Sequence, residues 1–92
     1  MDADEAASRL HRDAILIDDV CPLLADKRYL GWYREGGFTA VAPTVAIYEN
    51  AWQTVKELGA WHAFVARDPS CVIIRRAADI ETAKKAGQLG LI

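Results

Sequence analysis

Ala14-Ile15-Leu16-Ile17-Asp18-Asp19 is the stretch on which the fold turns. Four apolar residues in a row, two of them β-branched, read as a short strand buried on both faces, and the paired aspartates mark its emergence into a loop at the carboxyl end. Pro22 forbids simple continuation of that strand. Upstream, Ala6, Ala7 and Leu10 recur at helical spacing and Arg9 and Arg12 occupy a last turn, which predicts a helix over Glu5 to Arg12.

Downstream the pattern repeats with different residues. Asp26 to Glu35 carries Tyr29, Leu30 and Tyr33 on a helical face, with Asp26 placed to cap it and Gly36-Gly37 to stop it in a left-handed turn. Phe38 to Ala42 reads as a second buried strand stopped by Pro43. Asn50 is a suitable cap for the longest helical signal, whose stripe of Trp52, Val55, Leu58, His62 and Val65 ends before Asp68-Pro69. Cys71 to Ile74 is a third strand, Asp79 to Ala86 a helix closed by Gly87, and Leu89 to Ile92 a fourth strand. Short apolar strands alternating with helices predict an α/β fold with a mostly parallel sheet. Leu89 to Ile92 has the character of a central strand, yet nothing follows to cover its edge, which leads us to expect an incomplete fold.

Composition narrows the function. With 92 residues the chain is too short for two independent cores, and at 52% hydrophobic residues with three Trp and three Tyr it is too apolar for disorder. Eleven basic and thirteen acidic residues, interleaved, give a net charge of −2, which argues against a nucleic-acid partner. The acidic N-terminus lacks a signal-peptide pattern, and no apolar stretch approaches the roughly 20 residues of a membrane span, so a cytoplasmic location is expected.

No P-loop, Gly-x-Gly-x-x-Gly, His-Glu-x-x-His or nucleophile elbow is present. Candidate chemistry is therefore positional, in the loops at the carboxyl ends of strands: Asp18 to Pro22 and Pro43 to Asn50. Successive residues of an extended strand project to opposite faces, so Asp18 and Asp19 cannot serve one site together, whereas Asp19 and Cys21 share a face. Those two are the candidate substrate-binding residues: Asp19 would orient a substrate amine and Cys21 would pack beside it. The competing reading has the aspartates capping local backbone in a turn. As a metal pair they fall short of the three or four donors that zinc requires, and no metal-ligating or catalytic residue is assigned. Cys21 and Cys71 read as buried thiols. His11 and His62 read as packing residues, and Trp32, Trp52, Trp61, Tyr29 and Tyr33 as helix faces packed on the sheet or on another chain.

Leu10-His11-Arg12-Asp13-Ala14-Ile15-Leu16-Ile17-Asp18, followed by Pro22-Leu23-Leu24, resembles the opening of the membrane (renal) dipeptidase family. Gly36-Gly37-Phe38-Thr39-Ala40 resembles that family's second barrel strand. Ala78 to Ile92, with Asp79-Ile80, Ala83 and Gly87, resembles the approach to its third.

The resemblance implies the N-terminal βα units of a (β/α)8 TIM-like barrel, incomplete in this chain because a whole barrel takes about 250 residues. It also implies a two-zinc hydrolase of dipeptides and related small amides, often a homodimer, of which this segment alone would be inactive. The departure lies at the first metal motif: its His and Asp fall on Val20 and Pro22, neither of which coordinates zinc. The remaining ligands would fall beyond Ile92. The partners implied are the remainder of the barrel and a dipeptide or other small molecule. The alternative is a non-catalytic small α/β or barrel module that binds a small ligand or a partner chain.

Overall fold

Four parallel strands form one sheet in the computed structural model, which describes residues 2–92. They are β1 (Ile17–Cys21), β2 (Ala40–Pro43), β3 (Cys71–Ile73) and β4 (Leu89–Leu91), separated by α1 (Ala3–Asp13), α2 (Leu30–Glu35), α3 (Ala51–Arg67) and α4 (Ala77–Ala86). The strict alternation expected from the sequence is thus what forms. The strands are not laid down in chain order, however, but as β1-β2-β4-β3. β4 is buried at all three positions, so it goes to the centre, where both of its edges are paired; half-buried Val72 and Ile73 leave β3 at an edge. The Gly90 amide donates to the Thr39 carbonyl at 2.9 Å on one side, and the Leu91 carbonyl accepts from the Ile74 amide at 2.8 Å on the other.

Local capping follows the sequence closely. Asp2 accepts from the Glu5 amide at 2.8 Å and starts α1 two residues earlier than periodicity suggests. Asn50 and Gln53 form a reciprocal capping box, with bonds of 2.9 and 3.0 Å, at the start of α3. The predicted Asp26 helix is divided into a 3₁₀ turn (Lys27–Tyr29), which Asp26 caps, and α2. Gly37 (φ 80°) and Gly87 (φ 69°) take the left-handed turns that end α2 and α4.

The first strand departs from expectation. Pairing begins only at Ile17, opposite Ala40, so Asp18, Asp19 and Val20 belong to the strand and not to a loop. Strand limits are set by the partner's hydrogen bonds, and the segment before Ile17 is occupied by an irregular contact in which the Leu16 amide donates to the Thr39 hydroxyl at 3.1 Å. Nor is β1 buried on both faces: it lies at the sheet's edge and Ile17 is 45% exposed.

The core joins Val41, Leu89, Leu91, Cys21 and Cys71 from the strands to Leu24, Leu30 and Trp61. Phe64 and Val65 complete the buried part of α3. Of the predicted stripe, Trp52 (72% exposed), Val55, Leu58 and His62 stay uncovered and only Val65 is half-buried; the face that seats runs through Trp61, Phe64 and Val65, so the stripe expected from the sequence is out of phase. α1 buries no residue at all. The radius of gyration, 14.6 Å, exceeds the roughly 12 Å of a compact chain of this length, in keeping with elements that pack on one side only. Among the described residues, no helix is long and apolar enough to cross a membrane.

Candidate functional site

In a parallel α/β sheet the carboxyl ends of the strands converge on one edge, and side chains grafted there have access to a ligand. On that edge Asp18, Val41, Leu91 and Ile73 share a level. Beyond it β1 carries one residue more than β2: Asp18 pairs with Val41, but Cys21 pairs with Pro43. This β-bulge overturns the period-2 argument made from the sequence, because an extra residue exchanges the faces of everything that follows it. Cys21 turns inward and is fully buried, whereas Asp19 remains exposed. The two do not share a face. Cys21 instead meets Asp18.

The Cys21 thiol donates to the Asp18 carbonyl at 3.3 Å, and Asp18 Oδ1 accepts from the Val20 amide at 3.2 Å. Tyr33, from α2, closes the corner against both residues. Burial, followed by its hydrogen bond to Cys21 and the charge of Asp18, pushes the Tyr33 phenol up to about 12. Burial likewise raises the Cys21 thiol, which stays protonated at neutral pH. Sequence reasoning missed Tyr33 because its partners lie twelve and more residues away; its helical spacing signalled burial and nothing further.

Two clefts open beside the same edge. One, of about 120 Å³, is apolar and lies between Val45, Leu58, Trp61, Ile73 and Leu91, with His62 at its margin. The other, of about 260 Å³, is polar and lined by Thr44, Glu49, Gln53 and Glu57. Glu49 there accepts from the Ile47 amide at 2.6 Å, and this bond lowers its carboxyl below the ordinary range. Neither cleft is lined by Asp19 or Cys21. A third cleft, of about 400 Å³, lies at the opposite end of the sheet, around His11, Arg34 and Lys84. There His11 Nε2 is 2.7 Å from the Gly36 carbonyl, and Lys84 donates to the Arg12 carbonyl at 2.8 Å, so both are engaged with helix ends.

The residues present do not fit a zinc half-site at the end of β1. Val20 points to solvent without a donor atom, Pro22 opens a 3₁₀ turn (Pro22–Ala25), and the only sulfur is a buried thiol. Among the described residues, no three His, Cys, Asp or Glu side chains cluster to hold a metal ion.

No protein-family model matches the chain, and no curated protein matches it. Among solved structures, it is similar to the crystal structure of an amidohydrolase from Pseudomonas aeruginosa, with a TM-score of 0.78 and 29% identity. The match covers 91% of this chain but 26% of that one, so the chain spans about a quarter of the length of its structural relative. At the coarse level the chain has an α/β fold similar to part of that amidohydrolase.

Proposed function

We propose that this chain supplies the opening strands of a (β/α)8 barrel in a dipeptidase-like amidohydrolase that cleaves dipeptides or related small amides. The observation that carries the reading is the match to the Pseudomonas aeruginosa amidohydrolase over 91% of the chain. Parallel β1, β2 and β4 lie side by side as successive barrel strands do, whereas β3 takes the outer edge of β4, where a fourth barrel strand would have to pair. Open sheet edges and the uncovered faces of α1 and α3 are surfaces that further chain would bury. The partner is then the remainder of the barrel. In this reading Asp19, exposed at the end of β1, orients a substrate amine by a charge-assisted hydrogen bond, and Cys21 packs beneath the strand.

The test is a panel of dipeptides and N-acyl amino acids offered to the complete protein, with release of free amine as the readout. Hydrolysis of any member, with KM raised by Asp19→Asn at unchanged thermal stability, supports the proposal. Stable binding of a small ligand with no amide hydrolysis across the panel rejects it in favour of a non-catalytic module. Exposed Tyr48, in the loop before α3, and exposed Trp52 and Val55, in its first turns, favour a partner chain as that module's ligand.

A further inference from the structure

The end of β1 is where the dipeptidase resemblance places a pair of zinc ligands, and the side chains found there do not converge on one point. The bulge between Asp18 and Cys21 sends the thiol into the core, fully buried, with its S–H directed to the Asp18 carbonyl at 3.3 Å. One Asp18 oxygen is taken by the Val20 amide at 3.2 Å, and Tyr33 stands against the same two residues from α2. Val20, 65% exposed, offers no donor, and Pro22 has its ring committed to the first position of a 3₁₀ turn. A metal needs several deprotonated donors converging on one point, and here the available ones diverge: Asp19 outward, Cys21 inward, Asp18 to its own backbone.

We infer that the carboxyl end of β1 is a closed corner that contributes no metal ligand, so that any divalent ion in the completed barrel is held by other strands alone. The inference rests on the barrel reading above and adds to it that this mouth lacks its first half-site. Asp18, Cys21 and Tyr33 are positioning residues that fix the bulge and the seat of α2 on the sheet.

The experiment is a zinc titration of the complete protein, stripped with chelator and followed by calorimetry, for the wild type, Asp18→Asn and Asp19→Asn. The expected result is that zinc stoichiometry and affinity agree within twofold across the three proteins, a stoichiometry of zero included. Loss of one zinc equivalent, or tenfold weaker binding, in either variant would overturn the inference. Cobalt gives a second readout. Absence of a sulfur-to-cobalt absorption band supports the closed corner; a band abolished by Cys21→Ala but not by Cys71→Ala refutes it. Because Asp19 is exposed, Asp19→Asn keeps the test usable if the Cys21 variant does not fold. The titration reads metal directly, so it stands or falls separately from the amide-hydrolysis panel.

Discussion

Gly90, in the middle of β4, has room for hydrogen only. A Cβ built on it would lie 2.7 Å from both Cγ1 and Cδ1 of Ile74 and 3.3 Å from Cβ of Ala40. Ile74 follows β3, and its amide is tied to the Leu91 carbonyl at 2.8 Å, so its backbone cannot retreat without loosening the β3–β4 ladder. Gly90→Ala therefore overpacks a central strand. Overpacking of this kind costs about 1–3 kcal/mol. Against that, replacing glycine narrows the unfolded ensemble and returns about 0.4–1 kcal/mol, since Gly90 does not occupy the left-handed region. The net expectation is a loss of about 1–2 kcal/mol, or, with a urea m-value of about 1–3 kcal/mol/M, a fall in the midpoint of roughly 0.3–2 M. Ile74→Ala removes the clashing atoms. In that background Gly90→Ala should be close to neutral, and the double-mutant cycle should show a coupling of about 1–2 kcal/mol. Equilibrium urea unfolding of the four proteins decides the matter. A Gly90→Ala penalty below about 0.5 kcal/mol, or one that persists undiminished when Ile74 is alanine, refutes the claim that side-chain closeness across β3 and β4 dictates glycine here.

Asn50→Ala should destabilise by about 1 kcal/mol, because it removes the side-chain oxygen that accepts from the Gln53 amide at the start of α3, whereas Asn50→Asp should retain most of the stability; urea midpoints distinguish the two. Tyr33 supplies an alkaline signature. Its folded-state phenol is held up to about 12 by burial, so the native protein binds that proton more tightly than the unfolded chain does. The associated stability is complete below the ordinary tyrosine range near 10 and is lost as pH rises through that range toward 12. Ultraviolet titration of the native protein should show one of the three tyrosines ionising late, and Tyr33→Phe should remove both the late step and the alkaline loss of stability.

Much of this protein is legible in its sequence because the relevant physics is local. Alternation of short apolar runs with amphipathic segments specifies four strands and four helices. Asn50 and Gln53 lie three residues apart and can cap a helix with no help from elsewhere, and Gly37 and Gly87 stand where the chain needs positive φ. The burial of Cys71 and of Leu89–Leu91 follows from apolar composition. What only the tertiary structure decided is everything that depends on a partner distant in the chain. The order β1-β2-β4-β3 reflects which strand could bury all of its residues in competition with the others, a comparison no single segment contains. The start of β1 at Ile17 and its bulge before Cys21 are set by the hydrogen bonds that β2 offers. That bulge moved the candidate site: periodicity paired Asp19 with Cys21, while one unpaired residue separates them and brings Cys21 to Asp18 and Tyr33. The apolar stripe of α3 has a similar history, since several faces of this helix carry apolar residues and the sheet beneath decides which is covered: Trp61, Phe64 and Val65 are seated, while Trp52, Val55, Leu58 and His62 are not.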